Sequence, residues 1–240
     1  ERAVLDAALT RAMDSLAMAY QPIVAVRTRK LVAYEALMRS KEKELPSPPA
    51  VLEAAEKLGR LHELGRCIRR LVGDLAGRVA PVEHTFFVNL HAADLADPLL
   101  YEETSDLTHH ASQVVLEITE RASLETIADV EGRLSALRER GFRIAVDDLG
   151  SGYAGLNYFA RISPDIVKID MGLIRGVDTD PVRQRIVASM CTLSSDLGIL
   201  AVAEGIETEA ELECVTELGA NLIQGYLTGK PAPYPEPHLA

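Results

Sequence analysis

Residues Val146 to Leu156 read VDDLGSGYAGL, and the fold turns on what this run means. Gly150, Gly152 and Gly155 spell G-x-G-x-x-G, an apolar run FRIAV (142–146) precedes them, and Asp170 follows 20 residues after Gly150. That is the layout of a dinucleotide-binding turn, in which glycines admit a pyrophosphate and a later acid takes the ribose. Two facts argue against it. Asp147 and Asp148 stand directly before the glycines and would repel a pyrophosphate with no cation between. A dinucleotide fold also places its glycine loop after the first strand, whereas here several strand-like runs come earlier.

Working outward, apolar runs at 19–24, 31–37, 85–90, 114–119, 142–147, 165–170, 200–205 and 222–226 read as eight strands. Amphipathic stretches at 50–76, 127–141, 181–198 and 208–219 read as helices, the last three closing on glycine. Alternating apolar strands and helices indicate a parallel sheet covered by helices, and about eight such units in 240 residues suit a TIM (β/α)8 barrel. Only AVRTRK separates the first two strands, too short for a parallel crossover. The expectation is therefore a modified barrel with one antiparallel strand. Residues 41–50 read as a solvated loop and 230–240 as an extended, proline-rich tail.

Composition removes several classes of function. The net charge of −11 argues against a general nucleic-acid binder, although an acidic protein holds a phosphate ligand once bound cations reverse the local field. No apolar run approaches the roughly 20 residues of a membrane span, and no signal peptide is visible. Cys67, Cys191 and Cys214 are odd in number and scattered, as expected of reduced thiols in a cytoplasmic protein. The histidines lack zinc-motif spacing. The chain begins at Glu1, as expected of a segment excised from a longer protein.

Active sites of parallel barrels lie at the C-terminal strand ends. Those ends carry Glu35, Asn89, Glu117, Glu120, Asp147, Asp148, Lys168, Asp170, Glu204, Glu207 and Gln224. Any one of the acids, Asp170 and Glu207 above all, reads most simply as a helix cap, Asn89 as a turn former and Lys168 as the partner of a neighbouring carboxylate. A barrel brings them all to one mouth, however, and so many carboxylates require positive charge among them. Oxygen-rich clusters of this kind suit hard divalent cations. Adjacent Asp147 and Asp148 can share a site only if the strand ends or bends there, since neighbouring strand side chains point to opposite faces. Two cations about 4 Å apart suit in-line displacement at phosphorus, with Lys168 orienting the attacking water or offsetting charge.

These residues lie in motifs that resemble the EAL domain family of bacterial cyclic di-GMP phosphodiesterases. EALMR (35–39) resembles its signature. YQPIV (20–24), FVNL (87–90), LEITE (116–120), DDLGSGY (147–153), KID (168–170), AEGIE (203–207) and QGY (224–226) stand in the family's order. The likeness covers about residues 18–233 and implies a single domain over 1–240. It implies hydrolysis of cyclic di-GMP to linear pGpG with Mg²⁺ or Mn²⁺, two ions in all, calcium inhibiting, and no organic cofactor. One ion would lie on Glu35, Asn89, Glu117 and Asp147. A second would lie on Asp147, Asp148 and Glu204. Lys168 would contact the water, with Glu204 as an alternative base. Gln21, Leu37 and Arg39 would meet substrate, Arg39 at a phosphate. Gln224 would hold substrate or water, with Glu207 behind it. Glu120 would anchor the loop after Asp148, and that loop with its following helix would form a homodimer. Fused sensory or GGDEF domains are expected. Leu149, Met171–Gly172–Leu173 and His91 depart from the usual DDFG, KIDRSF and NLS patterns without removing a ligand. The resemblance leaves open a catalytically silent receptor acting through a protein partner. The strand ends alone also admit another metal-dependent chemistry.

Overall fold

The computed structural model describes residues 1–78, 84–103, 105–119, 124, 127–150 and 161–234. Eight strands close into a barrel in chain order: β1 (Ala17–Ala25), β2 (Leu31–Arg39), β3 (Thr85–Asn89), β4 (Val114–Thr119), β5 (Arg143–Leu149), β6 (Ile166–Ile169), β7 (Leu200–Ala203) and β8 (Leu222–Gln224). β1 runs antiparallel to both β2 and β8, and every other neighbouring pair is parallel. The short AVRTRK link thus marks β1 as the reversed strand.

Among the described residues the α-helices named here are α1 (Arg2–Asp14), α2 (Pro48–Leu58), α3 (Leu61–Ala76), α4 (Val130–Glu139), the single turn α5 (Met171–Ile174), α6 (Pro181–Asp196) and α7 (Glu209–Glu217). The single helix expected over 50–76 is two. Gly59 takes a left-handed φ of 72° and ends α2 before α3 begins. Periodicity continues across this break, which is why the sequence reads as one element. α1 lies outside the expected 18–233 core, yet it buries Ala8, Leu9, Ala12 and Met13. These pack with Val51, Ala54 and Ala55 of α2, Leu64 of α3 and Met38 of β2. That stripe is narrow and alanine-rich, so its amphipathicity is faint in sequence.

Strand alternation sorts side chains into two cores. Outward residues such as Phe86, Val88, Leu116, Ile144, Val146, Val167 and Ala203 join the helices in the larger one. The inner core takes one residue from each strand: Ile23, Ala33, Phe87, Val115, Ala145, Ile166, Val202 and Leu222. This is a filled barrel layer, and it forms the floor of the site.

Candidate active site

Two residues beyond each member of that floor, period-two alternation returns a side chain to the barrel interior. Those positions are Gln21, Glu35, Asn89, Glu117, Asp147, Lys168, Glu204 and Gln224, one from or just beyond each strand. β1 is reversed, so its contribution lies two residues earlier rather than later. The polar ring is the next layer of the same barrel, with every apolar residue replaced.

Lys168 lies at its centre, 1% exposed. Its Nζ is 2.7 Å from Glu204, 2.8 Å from Glu117, 3.3 Å from Asp147 and 3.4 Å from Glu35. Gln224 donates to Glu35 Oε2 at 2.5 Å and to Gln21 Oε1 at 3.1 Å, while Gln21 donates to the Gly229 carbonyl. Asn89 donates Nδ2 to Glu35 Oε1 at 3.1 Å, which leaves its Oδ1 as the group available to a cation.

One ammonium does not balance four carboxylates. Burial opposes ionisation of Glu35, but the Lys168 charge and the amides of Gln224 and Asn89 hold it below the usual carboxylate range. Glu117 has no such amides. Burial raises it well above that range, Lys168 only partly offsets this, and the Glu35 and Asp147 charges add to it. Apart from the Lys168 ammonium beside Oε1, neither Glu117 oxygen has a hydrogen-bond partner among the described residues. Burial, together with Asp147 and Glu35, likewise pushes Glu204 up to about 8 against the pull of Lys168. Lys168 is itself raised: burial disfavours its charge, but the surrounding carboxylates outweigh it. Buried carboxyls that share a single ammonium, and that burial and their neighbours push toward the protonated form, fit a divalent cation that supplies the missing charge.

Asp148 enters the cluster by a backbone irregularity. Its φ is +58°, and the β5–β6 register shifts between Val146 and Leu149. An aspartate tolerates this left-handed conformation better than most residues. The bend falls on Asp148 itself, ahead of the glycines, and brings both aspartates to one side. Oxygens of Asp147, Asp148 and Glu204 come within 4.8 Å of one another. Asp148 N–H donates to Asp147 Oδ1 at 2.9 Å.

Leu37 and Arg39 lie apart from the ring. They line a cavity of about 700 Å³ that shares Asn89 with it and extends past His91 to Leu52, Leu61 and Ile68. Glu207 is turned outward and ion-paired with Arg175, its side chain 38% exposed. It is not the helix cap either. Thr208 and Glu211 form the capping box of α7. Asp170 does cap, accepting from Gly172 N–H at 2.9 Å. Glu120, the loop 151–160 and its dimer role lie outside the described residues.

Sequence reasoning missed the support behind Asn89. Arg69 of α3 is buried and reaches Asp94 at 2.7 Å and Asp97 at 2.5 Å, with Arg66 on Asp97 at 2.8 Å. Asp94 also accepts from His91 N–H at 3.2 Å, fixing the turn after β3. The signal was there: Arg69 sits four residues after Gly65 and four before Gly73, on the buried face of α3.

The fold and site together define a (β/α) barrel with an acidic cluster at its strand ends that suits divalent cations. Residues 3–231 match the EAL domain model, and the chain belongs to the EAL domain family. It is 33% identical over 224 residues to the probable cyclic di-GMP phosphodiesterase PdeG of Escherichia coli K12, covering 90% of this chain and 44% of PdeG. It is 33% identical over 221 residues to the cyclic di-GMP phosphodiesterase PdeF of the same strain, covering 89% of this chain and 29% of PdeF. The chain thus spans less than half the length of either relative. Among solved structures it resembles the PaMucR phosphodiesterase in complex with c-di-GMP, with a TM-score of 0.78 and 29% identity over 96% of this chain and 98% of that one. It also resembles Klebsiella pneumoniae BlrP1 with manganese and cyclic di-GMP at pH 6, with a TM-score of 0.77 and 30% identity over 91% of this chain and 56% of that one.

Proposed function

We propose that this chain hydrolyses one phosphodiester bond of cyclic di-GMP to give linear pGpG. The observation that carries the reading is the complete polar ring, with Lys168 amid four carboxylates and Asp148 bent in beside them. Named activities of the relatives, and the cyclic di-GMP and manganese in neighbouring structures, support it.

Glu35, Asn89, Glu117 and Asp147 would hold one Mg²⁺ or Mn²⁺, and Asp147, Asp148 and Glu204 a second. When bound, such ions supply Lewis acidity toward the phosphoryl oxygens and acidify the attacking water. The remaining work falls to the chain. Lys168 is locked in its ammonium form by its neighbours, so it donates a hydrogen bond to the water and offsets charge developing at phosphorus. Glu204 is the group suited to accept the water's proton, in the ionised form that a bound cation favours. Arg39 pairs with a phosphate. Leu37 and Gln21 bound the substrate, and Gln224 holds Glu35 in register. The water oxygen bonds to phosphorus, the P–O3′ bond breaks, and the 3′ oxygen takes up a proton from bulk water and leaves as a hydroxyl, balancing the proton that the attacking water gave up.

The chain is read as a single catalytic domain of a modular, cytoplasmic signalling protein, working as a homodimer beside sensory or GGDEF domains. The relatives' greater length supports the modular part. Among the described residues no helix is long and apolar enough to cross a membrane. The test is product analysis: purified protein with Mn²⁺ converts cyclic di-GMP to pGpG, and a chelator stops it. Nucleotide binding by calorimetry without product would replace the enzyme with a receptor.

A further inference from the structure

α5 is a single turn, yet it touches both strand ends that bring Asp148 and Glu204 together. On one side Asp170 N–H donates to the Leu149 carbonyl at 3.2 Å, and Leu173 packs on Gly150 so closely that a Cβ there would lie 2.5 Å from its Cδ1. On the other side Glu204 N–H donates to the Ile169 carbonyl at 3.2 Å, and a Cβ on Gly205 would lie 2.5 Å from the Met171 Cβ. Both glycines have positive φ, so neither position accepts a side chain easily. Past α5, Arg175 ion-pairs with Glu207, three residues beyond Glu204, and Glu211 accepts from Gly176 N–H at 2.9 Å. The segment 169–176 is therefore bound to both neighbours by backbone, packing and charge.

We propose that α5, tied down by Arg175–Glu207, is a positioning wedge that sets the spacing of Asp148 and Glu204 and so builds the second cation site. This rests on the two-cation reading above. Oxygen ligands of Mg²⁺ lie about 2.0–2.1 Å from the ion, so a shift of either strand end by less than an ångström spoils the site. The wedge also gives Glu207 its role: it acts on the position of Glu204 through Arg175, without facing the mouth.

The test is Mn²⁺ binding to the nucleotide-free protein, followed by paramagnetic resonance of the free ion. Wild type takes two ions, and Asp148→Asn identifies which step belongs to the second site. Arg175→Gln is expected to weaken that step by about 3- to 5-fold, the most an exposed ion pair contributes to holding the spacing, and to leave the other step within about 2-fold. Removing a cation from near the site would by charge alone tighten Mn²⁺ binding, so the signs separate position from electrostatics. The pair is exposed, so the cation-free melting temperature stays nearly unchanged. Arg175→Glu combined with Glu207→Arg is expected to restore binding. Unchanged or tighter second-step binding in Arg175→Gln, or no recovery in the swapped pair, overturns the wedge. If wild type takes fewer than two ions, the two-cation reading fails and the wedge with it.

Discussion

Glu35 is the residue on which the proposed site closes, since it accepts from Asn89 and Gln224 and faces Lys168. Glu35→Ala is expected to reduce pGpG formation to background while the barrel stays folded, because Lys168 retains three carboxylates. Circular dichroism beside the product assay checks both. Glu204 sets a pH dependence. Without a cation its carboxyl keeps a proton up to about pH 8, and proton and cation compete for the same oxygens. Mn²⁺ affinity is therefore expected to rise with pH through the neutral range and to level off above about 8. Calorimetric titrations at several pH values measure this, and Glu204→Gln should flatten the rise. At this scale the sequence was highly informative. Seven ring residues are polar groups two positions past an apolar floor residue, and Gln21, on the reversed β1, lies two before one, a period visible by eye. The left-handed backbone of Asp148 was not legible, because no residue type demands it. Nor was the Arg175–Glu207 pair, which joins loops 32 residues apart.

Elements were legible where period and punctuation agreed. β4 matches its expected bounds, and α6 starts at Pro181 behind the capping Asp180 as the proline suggests. The reading failed where tertiary packing overrides pattern. α2 and α3 share one continuous amphipathic run, and only the conformation of Gly59 divides them. α1 gains its stability from packing on α2 rather than from its own pattern. α3 supplies an element-level expectation. Arg69→Ala strips the buried Asp94 of its charge partner and leaves Asp97 with Arg66 alone. Breaking a buried pair from one side costs about 3–5 kcal/mol, so urea denaturation should show a loss of that order. At the other end of the chain, Thr208→Ala removes the α7 cap and should cost about 1 kcal/mol in the same measurement.

For the whole molecule, one geometric fact links stability to chemistry: floor and ring are successive layers of one closed barrel. Phe87 is the largest side chain of the floor and lies two residues below Asn89. Phe87→Ala should cost about 3–5 kcal/mol by denaturant unfolding, and it should weaken Mn²⁺ binding as well, since the layer beneath the ring collapses. The reversal of β1 belongs to the same scale. It turns Gln21 toward the mouth beside Glu35, its direct partner across the β1–β2 ladder. The short loop foretold that reversal, whereas closure of β8 onto β1 is a property of the whole barrel that no local stretch encodes. The central claim is that this mouth, loaded with divalent cations, cleaves cyclic di-GMP. The most direct measurement is chromatography of cyclic di-GMP incubated with the purified chain and Mn²⁺, with and without chelator. pGpG is expected to accumulate only with free Mn²⁺ and not with Glu35→Ala. Intact cyclic di-GMP recovered from the Mn²⁺-loaded wild-type protein would contradict it.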